Sequence, residues 1–282
     1  VILYDDSGHA QWFNSVTIDL LGIDASTPDP APGLSEFGRD ESGEPTGYAL
    51  EFALVPSVGE LFLDEESVLN AAVKEFIDAL AATGVTTVMD AGNLVFHDNI
   101  YSYVAELEAA RDLPLRYEGS YHIITPDQVD EAVSEVNRMR TEYGGELLTF
   151  NTVKIHFDGV LEIGTASVLE PYENDPTNVG AELLTAERVA ALLMEMEGEN
   201  MQLHVHTVGD RAVRTMLDAV ELAIAQNGGP LATQVTLSHI ELIDPADVER
   251  LVALGVVANY TPHWHGEFGH QPSTANRFIG DD

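Results

Sequence analysis

The 282-residue chain contains no cysteine and only two lysines, Lys74 and Lys154. Without cysteine there is no disulfide, no thiolate nucleophile and no Cys-based zinc site. Any metal site must therefore be built from His, Asp, Glu or Lys. Basic residues are scarce altogether: 12 Lys and Arg stand against 48 Asp and Glu, giving a formal net charge of −36 and a pI of about 4.2. A surface of that sign repels a nucleic-acid backbone and an anionic membrane. No run approaches the roughly 20 apolar residues of a membrane span. No secretory leader is visible either, so a cytoplasmic location is expected. The chain opens VILYDDSGHA without an initiator Met, as expected of a fragment or a processed chain.

What is present is a core-forming composition, 45% hydrophobic, in a length that suits one large domain or two small ones. The acid is spread through helical segments such as LDEESVLNAAVKEF and EVNRMRTEY rather than gathered in a tail. With lysine much scarcer than arginine, this acidic surface resembles those of halophilic proteins, in which molar salt screens self-repulsion. An ordinary acidic protein is the alternative.

Residues 1–60 are rich in Pro, Gly, Asp and Ser, as in GIDASTPDPAPGLSEFGRDESGEPTG, and read as a loop-rich excursion. From residue 61 onward helices and strands alternate. Asp64 caps a helix that stops before Gly84, Thr125 and Pro126 open another, a third ends at Gly228, and Asp244 caps a fourth. Strands fall at VTTVMDAG, LRYEGSYH, TVKIHFDG, MQLHVHTVG, QVTLSHIEL and VVANYTPHW. Strict alternation implies a parallel sheet of βα units. A doubly wound sheet would want a GxGxxG turn, which is absent. A (β/α)8 barrel puts its chemistry at the C-terminal ends of strands, where Asp90, His122, Lys154, Asp158, His206, His239 and His263 cluster. The expectation is an α/β (β/α)8 TIM barrel, incomplete over residues 61–282.

Within TVKIHFDGV, Lys154, His156 and Asp158 share one parity and Val153, Ile155 and Phe157 the other. An inward lysine must be paired, neutral or modified. It could pair with Asp158, form a Schiff base as in barrel aldolases, or capture CO2 as a carbamate that bridges metals. The nearby histidines favour the carbamate over the Schiff base. In QLHVHTVGDRAV, His204 and His206 face inward, with His206 nearer the loop. His239 ends the next strand, and imidazoles at neighbouring strand ends suit zinc. Asp210 is either a helix cap or an active-site group. His263 and His265, flanking Trp264, line either the pocket mouth or a surface loop.

These segments, in order, resemble the amidohydrolase superfamily in its amidohydrolase-3 (YtcJ-like) branch, which includes N-substituted formamide deformylases and exoenzyme regulatory proteins. DSGHAQWFNSVTIDLLGI is similar to a DGHAAWVNS segment and DESGEPTGYALE to DGEPTGVLRE. GVTTVMDAG, VKIHFDGVLEIGTASVLEPY, LHVHTVGDRAV, LSHIELI and TPHW match further segments of the branch. The resemblance implies a metal-dependent hydrolase of the metal-dependent hydrolase barrel type. It would cleave an amide- or formamide-like C–N bond of a small molecule with metal-activated hydroxide, using one or two divalent ions, zinc above others. Lys154 would be the bridging carbamate, and His206 and His239 metal ligands. His9, in the excursion over the pocket, would join His156, Asp158, His263 and His265 in binding substrate, and Asp210 would join Lys154, His206 and His239 as a catalytic group. The family's strand-one HxH pair and strand-eight aspartate have no counterpart here, so the chain reads as strands two to seven. A non-catalytic binding or regulatory remnant and a Schiff-base lyase using Lys154 are the alternatives, and a homo-oligomer stays open.

Overall fold

The structure is a computed structural model that describes residues 1–5, 7–63, 66–262 and 279. Its N-terminal part departs from the expected loop. Strands β1 (Ile2–Tyr4) and β2 (Ala10–Phe13), helix α1 (Ser15–Leu21) and strands β3 (Phe37–Arg39) and β4 (Pro45–Leu50) build an antiparallel sheet in the order β1-β2-β4-β3. The strands are so short, and so closely flanked by Pro, Gly and Asp, that their alternation is lost among turn signals. Gly47 sits inside β4 with φ +82°, and a Cβ there would strike the Phe13 carbonyl oxygen, so β4 can lie against β2 only with glycine at this point. The Asn14 side chain accepts from the Thr17 N–H to start α1, and Gly22 ends it in the left-handed region. Phe13, Ile23, Phe37, Ala49, Leu54 and Val58 form a small separate core. Helix α2 (Val55–Leu63) runs across the boundary drawn at residue 60.

After α3 (Glu66–Ala82), whose expected cap Asp64 lies outside the described residues, the alternation read from the sequence is present. It runs β5 (Thr87–Met89), α4 (His97–Ala109), β6 (Arg116–Ile123), α5 (Ala132–Glu142), β7 (Leu148–His156), α6 (Ala186–Met196), β8 (Gln202–Thr207), α7 (Asp210–Asn227), β9 (Gln234–His239), α8 (Pro245–Ala253) and β10 (Val257–Tyr260). The six strands form one sheet in the order β10-β9-β8-β7-β6-β5, and every neighbouring pair is parallel. This α/β sheet curls as a half-barrel. Parallel neighbours need a crossover, which the helices supply.

The helix ends follow local chemistry. Thr125 and Gln128 form a capping box before α5, the Thr185 side chain accepts from the Arg188 N–H at α6, and Asp244 accepts from Ala246 at α8. Gly228 closes α7 in the left-handed region. The main core joins Val153, Ile155 and Phe157 of the β7 segment and Leu203 and Val205 of β8 to Leu192 and Leu193 of α6 and Val213, Met216 and Leu217 of α7. Each such side chain contributes about 1.5–3 kcal/mol on burial. With that parity committed to the core, the alternate positions, His122, Lys154, His156, His204 and His206, are left on the opposite face of the sheet. Among the described residues, no helix is long and apolar enough to cross a membrane.

Candidate active site

Strand register assembles the site. His122, Lys154 and His204 are partners in one row across β6, β7 and β8, and His156 and His206 are partners in the next row toward the strand ends. All five are buried. The His156 and His206 rings lie 4.1 Å apart, centroid to centroid, and His122 lies 6.4 Å from His156. Gly92, after β5, leaves room for the His122 ring, which a Cβ at that position would strike.

Asp158 follows β7 and is wholly buried. Its Oδ2 accepts from the backbone N–H groups of Ser167 (3.0 Å) and Gly209 (2.9 Å). Its Oδ1 accepts from the Val208 N–H (2.9 Å) and from His206 Nδ1 (3.4 Å). Burial pushes this carboxyl up, toward about 8, against the pull of the three backbone donors. Three of the four contacts are backbone N–H donors, at least one on each oxygen, and such a cradle is built for the carboxylate, which makes His206 Nδ1 the fourth donor. His206 therefore carries its proton on Nδ1 and presents a lone pair at Nε2. That atom is buried and has no hydrogen-bond partner among the described residues. Burial, followed by the charges of His156, His239 and Lys154, holds the ring well below its ordinary pKa and so neutral.

His239 reaches the site by a different route. Strand parity groups it with Leu237, on the helix side. A positive φ of 76° at His239 and 47° at Ile240 breaks the alternation. The ring comes to 4.6 Å from that of His206, with Nδ1 2.7 Å from the Thr261 hydroxyl. A left-handed conformation at a β-branched residue costs on the order of 1–3 kcal/mol and is characteristic of functional sites. Burial, then the charge of Lys154, lowers the His239 pKa to about 3.

Glu51 was not singled out from the sequence, although it ends the quoted DESGEPTGYALE segment. It lies just past β4 with φ 51° and is almost wholly buried. Its Oε2 accepts from His9 Nδ1 (2.6 Å) and His156 Nε2 (3.3 Å), and its Oε1 from the Thr165 hydroxyl (2.5 Å). Gly159 makes space for this carboxylate, because a Cβ there would strike both Glu51 Oε1 and Thr165 Oγ1. His9, Glu51 and His156 bring one ligand atom each within 4.8 Å of one another, a set that could hold a metal ion. Their polar atoms already satisfy each other, however, and an ion would have to displace the His9–Glu51 hydrogen bond.

Burial alone would raise the Glu51 carboxyl. The hydrogen bonds from His156 and His9 outweigh it and lower the pKa from 4.5 to about 2. Burial likewise disfavours the charged form of His9, and Glu51 more than offsets it, so the His9 pKa rises. A depressed carboxyl stabilises the fold above its unfolded pKa and loses that contribution as pH falls through the folded one. Glu51 is thus expected to contribute about 3 kcal/mol above pH 4.5, lost between pH 4.5 and about 2. Urea unfolding from pH 5 to pH 2 should show Glu51→Gln losing much less stability over that interval than the parent. Parallel curves would contradict this role.

The Lys154 amine is buried, which lowers its pKa to about 7 although the Asp158 charge opposes the change. The Lys154–Asp158 salt bridge considered from the sequence is not formed among the described residues, because the Asp158 oxygens are occupied by backbone donors and His206. Asp210 begins α7, and its Oδ1 accepts from the Leu169 N–H (2.8 Å), tying the long β7–α6 loop to the helix rather than reaching the imidazoles. His263 and His265 lie outside the described residues.

A family model described as amidohydrolase family, of the amidohydrolase-3 type, matches residues 1–278. The exoenzymes regulatory protein AepA of Pectobacterium carotovorum is 26% identical over 266 residues, covering 94% of this chain and 56% of that protein. The N-substituted formamide deformylase of Arthrobacter pascens is 27% identical over 270 residues, covering 91% and 47%. The chain thus spans about half the length of the curated relatives it matches. A crystal structure of an uncharacterized metal-dependent hydrolase from Pyrococcus horikoshii shares the fold, with a TM-score of 0.64 and 21% identity over 94% of this chain and 49% of that one. Since the family model runs through both the N-terminal sheet and the half-barrel, the chain belongs to the amidohydrolase family, in its amidohydrolase-3 branch.

Proposed function

We propose that this chain is the central part, strands two to seven, of a (β/α)8 metal-dependent hydrolase that cleaves an amide- or formamide-like C–N bond. The observation that carries the reading is His206: a neutral, buried imidazole, pinned at Nδ1 by a carboxylate, with an unshared Nε2 lone pair beside a second imidazole. A carboxylate behind a ligating histidine is the usual support of a metal site. The donor set fits a divalent ion such as zinc, held by His206, His239 and a carboxylated Lys154. The resemblance assigns the remaining ligands to strands one and eight, outside the six strands described. When bound, the ion supplies Lewis-acid polarisation of a carbonyl and a water acidified toward neutrality.

The chain's own residues do the rest. Asp158 orients His206 and fixes its tautomer. His156 and His9, held by Glu51, wall the pocket, where His9 presents its ring to substrate. The N-substituted formamide deformylase among the relatives supports an N-formyl or N-acyl amine as substrate. Among the described residues only Glu51, Asp158 and Asp247 are buried acids, which leaves the rest for an acidic, salt-adapted surface of a cytoplasmic enzyme.

The test is zinc stoichiometry together with amine release from N-formyl and N-acyl amines, with and without a chelator, in a polypeptide that carries all eight strands. Zinc-dependent release is expected. Metal-free protein with no turnover would leave a binding or regulatory role for the same pocket.

A further inference from the structure

We propose that His204 is a positioning residue whose Nδ1–H donates to an anionic oxygen of a carboxylated Lys154. This rests on the carbamate reading of Lys154 above, and it assigns a role to a buried imidazole which that reading leaves unused.

The inference begins with hydrogen-bond accounting. His204 Nε2 lies 2.7 Å from the Ser238 hydroxyl oxygen, and that oxygen also accepts from Asn259 Nδ2 at 3.3 Å. Among the described residues the hydroxyl proton has no other acceptor, so Ser238 donates to Nε2. His204 must then carry its own proton on Nδ1. That atom is buried and has no hydrogen-bond partner among the described residues, in a side chain only 6% exposed. A buried N–H without a partner costs about 1–3 kcal/mol and calls for an acceptor.

His204 and His206 thus play opposite parts two residues apart. Asp158 makes His206 present a lone pair, as a cation requires. Ser238 makes His204 present an N–H, as an anion requires. The row that holds His204 places it beside Lys154, with His122 on the other side of the lysine. Both His122 ring nitrogens are buried and unpartnered among the described residues, so this ring too brings one N–H and one lone pair. Lys154 as an ammonium offers neither imidazole an acceptor, and as a neutral amine it has a single lone pair, which hydrogen-bonds to neither ring here. Carboxylation reverses this. The Nζ lone pair attacks the carbon of CO2 and an N–C bond forms. One C=O pair moves onto oxygen, and nitrogen gives up a proton to solvent. The product, –NH–COO⁻, sets two acceptor oxygens beyond Nζ.

The test has two arms. In the first, 15N and 13C ring shifts of His204 report its tautomer. The Nδ1–H form is expected in the parent, with a shift toward a tautomer mixture in Ser238→Ala. A pure Nε2–H form in the parent overturns the proposal whatever the state of Lys154. In the second, 13C-bicarbonate is titrated at saturating Zn2+ and the carbamate carbon is read by NMR. His204→Phe should need about tenfold more bicarbonate for half-occupancy, a lost hydrogen bond to a charged group. His204→Asn, whose Nδ2 can stand in for Nδ1–H, should recover most of the loss. Equal half-occupancy in parent and His204→Phe overturns the role of His204 but keeps the carbamate. No uptake by the parent overturns the carbamate itself, and this role with it.

Discussion

His206→Ala is expected to lose at least about 100-fold in zinc affinity, read by competition against a chelating dye, and to lose hydrolysis with it. The size follows from the geometry. His206 is neutral and prevented from donating at Nε2, and its ring is fixed by Asp158, so its removal takes away both a ligand and the preorganisation behind it. His9→Ala serves as the contrast. If the ion sits at His206 and His239, removing His9 should change zinc affinity only slightly, since His9 is satisfied by Glu51. The reverse outcome, with His9→Ala losing zinc and His206→Ala retaining it, would place the ion at the His9, Glu51 and His156 set instead.

Asp158→Asn is expected to destabilise the protein by about 3–5 kcal/mol, measured by urea unfolding at neutral pH. The substitution hardly changes volume. Each carboxylate oxygen now accepts two N–H donors. Turned one way, its NH2 faces the Ser167 and Gly209 N–H groups; turned the other, it faces the Val208 N–H and forces the His206 proton to Nε2, so a buried donor is left opposed either way. Because those donors belong to the loop at Ser167 and the turn into α7, the loss should spread to both. A change of less than about 1 kcal/mol would mean that the carboxylate does not organise this end of the sheet.

The parts of the molecule differ in how far the amino-acid order reveals them. The half-barrel was legible. Its strands are separated by helices with strong local end signals, such as the Thr125 capping box and Gly228, and parallel pairing follows from the alternation. Period-two patterning in TVKIHFDGV and QLHVHTVG placed Lys154, His156, His204 and His206 on one face without reference to any neighbour. The N-terminal sheet was not legible, because strands of three to six residues carry too little periodicity to outweigh the turn residues between them.

What the sequence determined by itself, then, is whatever depends on near neighbours in the chain: the helix ends, the face of each strand and the succession of βα units. Three decisions belong to the tertiary structure alone. Glu51 meets His9 and His156 across 42 and 105 residues of chain. His239 joins His206 only because two residues adopt a left-handed backbone that contradicts strand parity. His204 and His206 both hold the proton on Nδ1 in this reading, yet they offer the site different atoms, an N–H and a lone pair, because Ser238 stands behind one ring and Asp158 behind the other. Each is a matter of long-range hydrogen bonding and burial, which assign a proton to one atom or another only once the partners have been brought together.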